Sequence, residues 1–364
     1  MEQTVGGALE RALTRARQRM EQGDGDWERA AAAWEEVRRL AGNESLEDVL
    51  LEGSLSAVDA WRRADRPEHV LSIVEEPATA ACQPEVEALL WAHGAAALME
   101  QGRLQEAEFQ ARRVLDLLEA GPVQAVVADT LAGVLFVSGQ LEALTGLLEV
   151  WETWDAGQGV APRFRRAQLA RLQGSWNVAR EMLLSGVQEL EGQEGDVSSA
   201  MGSIWIELGR VSHGQGEPEE ALEFLAKAGL YWQQSGRRSG AVNTELERAM
   251  ISQDSEGHAY LPAGLDGHVA WSKDRGLVLL EAKARLARGL CRWDGGSDGA
   301  IEDLNTAVFL AEQSGAPLLS GRARLERHQR AGEPVPGDLE RALAELQADA
   351  VLRGRAWAML RQER

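Results

Sequence analysis

The sequence predicts an all-α solenoid in which about eight to nine antiparallel helix pairs stack side by side. Three observations carry that expectation. A turn motif, usually centred on glycine, recurs at a nearly constant interval. Apolar residues on either side of each turn follow spacings of three and four, which place them on one face of a helix. Small residues accompany those apolar stripes where two helices must cross closely, since a branched side chain there would force the axes apart.

The turns read "GDGDWERAAAAW" at 23–34, "ADRPEHVLSIV" at 64–74, "QGRLQEAEFQA" at 101–111 and "SGQLEALTGLL" at 138–148. They continue as "QGSWNVAREML" at 173–183, "QGEPEEALEFL" at 215–225 and "GGSDGAIEDL" at 295–304. The anchors Gly25, Asp65, Gly102, Gly139, Gly174 and Gly216 stand 40, 37, 37, 35 and 42 residues apart, and Gly295 follows after 79, about two periods. Independent domains would not produce such a ladder, so residues 1–364 read as one array. Within 88–115 the first helix presents Trp91, Gly94, Ala95 and Leu98; after the turn at Gly102 the second presents Ala107, Ala111 and Val114.

The fullest unit is "IWIELGRVSHGQGEPEEALEFLAKA" at 204–228. Its Trp205, Leu208, Gly209, Ser212, Gly216, Ala221, Leu225 and Ala228 resemble the tetratricopeptide repeat, W-x2-L-G-x2-Y followed by Ala, Phe or Leu, and Ala. Ser212 stands where that family has Tyr, and the family's regular proline after the second helix is represented only near Pro77 and Pro122. The resemblance spans roughly residues 10–350. It implies a right-handed superhelix whose concave face is lined by first helices and receives partner peptides. A glycine inside a helix costs about 1 kcal/mol, so Gly209 needs a packing reason, and Ala221 is the matching small residue on the second helix. Trp205 is expected to wedge against the preceding repeat.

The period falters at 252–274, where "SQDSEGHAYLPAGLDGHVAWSKD" follows a first helix at 237–251. This is either a degenerate repeat with a longer connection or an inserted loop reaching a partner through His258, Tyr260 and His268. After "AGEPVPGD", the segment 338–364 reads as capping helices, with Trp357, Met359 and Leu360 covering the end of the array.

Charge and composition narrow the function. A net charge of −20 repels phosphate and argues against nucleic acid and anionic membranes. Lysine occurs only at 227, 273 and 283, the signature of G+C-rich coding. Cys82 and Cys291 have no partner pattern and read as small buried hydrophobes. The amino terminus has no apolar core of signal-peptide length and no stretch reaches membrane-spanning length, so a cytoplasmic location is expected. No nucleotide, zinc-protease or hydrolase motif is present. The "DGDWE" and "DGGSDG" stretches fall where the repeat demands turns and lack a full calcium ligand set. No catalytic residue, cofactor or metal is expected. Equivalent placement of Trp27 with Trp176, and of Trp91 with Trp205, predicts packing roles.

Projecting the first helices gives an inner face of two parts. Near 52–136 it offers Glu52, Leu55, Asp59, Leu89, Ala92, Ala96, Met99, Val126, Asp129 and Phe136. From 160 onward it offers Phe164, Gln168, Arg171, Ile206, Arg210, His213, Arg285 and Arg292. The partner-binding candidates are therefore Leu55, Met99, Phe136, Phe164, Arg171, Arg210, His213, Arg285 and Arg292. Their chemistry suits an amphipathic segment at one end and acidic groups at the other. The alternative is that the arginines pair with Glu of the next repeat. None of these positions holds the Lys and Asn used by chaperone-clamp members of the family. Two functions are consistent with this surface: a protein-interaction scaffold, or a regulatory subunit that switches an associated protease, kinase or nuclease.

Overall fold

The computed structural model describes residues 2–22, 26–44, 46–76, 84–119, 121–154, 159–193, 195–256, 264–294, 299–330, 335–347 and 349–363. Gly25, Pro77, Cys82, His258, Tyr260 and Gly295 lie outside them. The described residues form nineteen helices and no strand. In chain order they pair as α1 (Glu2–Gln22) with α2 (Trp27–Glu44), α3 (Glu47–Arg63) with α4 (Pro67–Val74), and α5 (Pro84–Glu100) with α6 (Leu104–Leu115). Then come α7 (Pro122–Val137) with α8 (Leu141–Trp151), α9 (Val160–Leu172) with α10 (Trp176–Glu191), and α11 (Ser198–Gly214) with α12 (Pro218–Ser235). The last pairs are α13 (Arg238–Glu256) with α14 (Leu265–Asp274), α15 (Val278–Asp294) with α16 (Ala300–Ser314), and α17 (Pro317–Arg330) with α18 (Asp338–Glu345), followed by α19 (Ala350–Glu363). The fold is an all-α solenoid. Residues 265–274 of the irregular stretch form a ten-residue helix.

The turn ladder has one physical basis. Asp65, Gly102, Gly139, Gly174 and Gly216 all adopt left-handed φ, between 54° and 83°. The residue after each returns its N–H to the carbonyl five positions back: Arg66 to Trp61, Arg103 to Leu98, Gln140 to Leu135, Ser175 to Ala170 and Glu217 to Ser212, at 2.8–3.0 Å. This is the Schellman closure, which satisfies the last carbonyls of the first helix and reverses the chain.

Gly209 sits where α11 and α12 cross. A Cβ there would lie 3.0 Å from Leu225 Cγ and 3.2 Å from the Ala221 carbonyl oxygen. Trp205 is buried in the central core, which includes Ala179 and Leu183 of the preceding repeat. Its ring tilts onto Phe224 of its own repeat's second helix, centroids 5.4 Å apart, with the Lys227 ammonium 4.5 Å from the ring centroid. Ile204 also meets the preceding repeat: its Cδ1 lies 3.3 Å from where a Cβ on Gly186 of α10 would stand.

First helices pack on first helices: α5 on α7, α7 on α9, α9 on α11, α11 on α13, α13 on α15 and α15 on α17. They form the inner layer, and the second helices α6, α10, α12 and α16 form the outer one. Buried Ala and Leu between the layers, such as Ala107, Leu144, Leu183, Leu225 and Leu304, make a core that runs along the array.

The array then meets itself. Turns within the N-terminal pairs press against loops between the later pairs, and α5 touches α15 directly. Trp27 packs on the loop at Gly236, and a Cβ on Gly139 would sit 2.7 Å from Pro317. Ion pairs reinforce this seam. Arg275 reaches Glu28 at 2.6 Å and the Ala64 carbonyl at 3.0 Å. Arg237 reaches Glu100 at 2.9 Å, and Asp65, only 1% exposed, accepts the Ser239 N–H at 2.8 Å. That last bond explains an aspartate where the other turns have glycine: Asp tolerates left-handed φ and contributes a carboxylate to the seam.

A candidate ligand cavity inside the closed array

Closure of the seam turns the inner face into the wall of a cavity of about 470 Å³. One wall is apolar, made by Met99 of α5, Phe136 and Val137 of α7, Leu279 and Leu280 of α15, and Leu319 of α17. The polar lining is made by Arg165 and Gln168 of α9, Arg210 of α11, Asn243 of α13 and Lys283 of α15. A spacing of three brings Arg165 and Gln168 to one face of α9, and a spacing of four does the same for Leu279 and Lys283 of α15.

The polar wall is a ladder of alternating charge running from repeat to repeat. Arg165 binds Asp129 at 2.8 Å, Arg171 binds Glu207 at 2.8 Å, Arg210 binds Glu207 and Glu247, and Lys283 binds Glu247 and Asn243. Burial pushes the Glu207 carboxyl up, but the charges of Arg210 and Arg171 and the Gln168 amide outweigh it and hold the pKa at about 2. Glu247 is likewise held well below the carboxylate range, against its burial, by Arg210 and Lys283. Burial brings Lys283 down to about 8, although Glu247 opposes the shift. On the seam side, burial raises Glu100 against the pull of Arg237.

Of the sequence candidates, Met99, Phe136 and Arg210 meet at this cavity. Arg171 lies on the ladder beside it. Phe164 is half-buried in the central core with the Arg165 guanidinium 5.4 Å from its ring centroid, and Leu55 packs against the N-terminal core. His213 is half-buried near the end of α11. Arg285 turns to Glu281 at 2.9 Å and Asp303 at 3.5 Å. Arg292 turns to Asp266 at 2.8 Å and Asp303 at 2.9 Å. The five candidate arginine and histidine positions thus fall in two groups, and Arg285 and Arg292 share Asp303 of the outer helix α16 instead of the cavity. His268 binds Glu245 at 2.5 Å.

The reading of the residues missed Asn243, Lys283, Leu279 and Leu319. The signal was present. Ladder partners are separated by 36 or 37 residues: Asp129 with Arg165, Arg171 with Glu207, Arg210 with Glu247, and Glu247 with Lys283. Opposite charges one period apart mark a shared face, and extending that rule across the irregular stretch reaches Lys283.

No protein-family model matches the sequence, and no curated protein matches it. Among solved structures, a Rap protein complexed with competence and sporulation factor superposes on 99% of this chain and 98% of its own, with a TM-score of 0.60. This chain is similar in fold to a Rap protein. The identity is 14%, so the likeness concerns the helical-repeat architecture, which the two share over their whole lengths. Among the described residues, no cluster of His, Cys, Asp and Glu has the makings of a metal site, and no helix is long and apolar enough to cross a membrane. Cys291 is buried, and its Sγ accepts from Gln253 Nε2 at 3.5 Å.

Proposed function

We propose that this chain is a non-catalytic protein- or peptide-binding member of the helical-repeat class, acting in the cytoplasm through the cavity of the closed array. The observation that carries the reading is the lining of one cavity by both apolar and charged side chains. A short amphipathic segment would set its apolar side chains against Met99, Phe136 and Leu319 and its polar groups against Arg210, Asn243 and Lys283. The Rap structure, complexed with competence and sporulation factor, is a precedent for a partner on this fold.

The regulatory reading is favoured over a passive scaffold by Glu100 and Arg237. Both line the cavity, and both are seam residues. An occupant that engages either one shifts the balance between closed and open forms, because only differential binding moves such an equilibrium.

Selection of peptides from a random display library against the purified chain tests the proposal. Enriched peptides are expected to lose at least about tenfold in affinity for Phe136→Glu, which buries a charge in the apolar wall, while its circular dichroism stays native. Absence of any enriched sequence, or equal binding by Phe136→Glu, would contradict the assignment.

A further inference from the structure

Beside the main cavity lies a second one of about 420 Å³, and it holds an arginine that makes no ion pair among the described residues. Arg62, at the end of α3, donates from its terminal nitrogen Nη1 to His93 Nδ1 at 2.8 Å, and that is its one hydrogen bond among the described residues. Because a guanidinium only donates, His93 Nδ1 must accept, so the imidazole is neutral and carries its proton on Nε2. That Nε2–H has no partner among the described residues either. The neighbouring carboxylates are committed elsewhere: Asp59 to Arg63 at 3.0 Å, Glu100 to Arg237 at 2.9 Å, and Asp129 to Arg165 at 2.8 Å. The rest of the lining joins small apolar residues, Ala96, Ala125, Val126, Val160 and Pro162, to Asp129, Thr130 and Trp151.

Arg62 and His93 are half-buried, and the donors they do not spend on each other remain open to an anion. We infer that Arg62 and His93 form an anion site for a carboxylate carried on a small apolar group, the guanidinium taking both oxygens and the imidazole Nε2–H supporting one of them. A planar, two-oxygen acceptor matches the arginine fork, and the Trp151 indole N–H, buried without a partner among the described residues, belongs to the same lining. The pKa pattern agrees: burial, with help from Arg62, lowers His93 to about 3, and burial with Arg237 lowers Arg62. Both groups would gain from an arriving negative charge. This inference rests on the binding reading above and deepens it, since the terminus of a short segment seated in the main cavity is one source of such a carboxylate; a free short-chain acid is the other.

The test uses the full chain with three probes, N-acetyl-Ala-Val as the free acid, the same dipeptide as its carboxamide, and pentanoate. Binding is followed by calorimetry and by the ring resonances of His93. The free acid is expected to bind, to move the His93 signals and to raise its titration point, and the carboxamide to bind at least about tenfold more weakly. Pentanoate binding as well as the dipeptide acid identifies a free acid as the natural source; preference for the dipeptide identifies a chain terminus. Arg62→Gln is expected to lose binding while its melting temperature is unchanged or raised. Val126→Phe, which fills the pocket at an exposed position without altering charge, is expected to lose binding too. The inference is overturned if neither carboxylate shifts the His93 signals, if the carboxamide binds as well as the acid, or if both variants bind normally. Display peptides that still distinguish Phe136→Glu in that event would leave the wider function standing, so the two failures are separable.

Discussion

At Gly209 a hydrogen in place of a side chain sets how closely two helices approach. The neighbouring atoms, Leu225 Cγ and the Ala221 carbonyl, include backbone that cannot swing aside. Gly209→Val is therefore expected to lower stability by about 1–3 kcal/mol in urea denaturation. Gly289→Val should cost a similar amount, because a Cβ there would stand 3.0 Å from Leu304 and 3.1 Å from the Ala300 carbonyl. Gly229 has nothing within 4 Å, and Gly229→Ala is expected to stabilise by about 0.5–1 kcal/mol through helix propensity alone. Equal effects at all three positions would refute the packing explanation. At this scale the sequence was largely readable, because a glycine misplaced for propensity announces a close contact. The ring partners of Trp205, Phe224 and Lys227, were not singled out, since the repeat pattern fixes only that an indole is buried there.

Between elements, the decisive feature is the ladder that ties α7, α9, α11, α13 and α15 edge to edge. Glu207 is 2% exposed and lies between Arg171 and Arg210, so removing its charge strands two arginines. Glu207→Gln is expected to cost about 3–5 kcal/mol, read from chemical denaturation. The pH dependence follows from the depressed pKa. The folded carboxyl titrates near 2 against an ordinary 4.5, so its stabilisation is fully present above about pH 4.5 and disappears as pH falls toward 2. The acid loss of stability in that window should be smaller in Glu207→Gln than in the parent chain; an unchanged profile would remove Glu207 from the ladder. The arginine half of this pattern was visible in the sequence, as was the chance that it pairs with Glu one repeat on. Lys283 and Asn243 escaped because the irregular stretch at 252–274 hid the register of the helices on either side.

For the whole molecule, the seam decides whether the inner faces form an open groove or a cavity. Its contacts join residues 137, 174 and 247 positions apart in Arg237–Glu100, Ser239–Asp65 and Arg275–Glu28. No periodic signal links such pairs, since closure depends on the small twist added at each repeat and summed over the array. The one local hint was Asp65, a carboxylate in a ladder of glycines. Small-angle X-ray scattering on the monomer tests closure most directly. The account predicts a radius of gyration near about 21 Å, as for a compact chain of this length, and a clear increase for Arg237→Glu, which sets like charges against Glu100 and Asp65. Nine helix pairs stacked in an open row at about 10 Å each would exceed about 26 Å; such a value for the unmodified chain, unchanged by Arg237→Glu, would contradict the closed array.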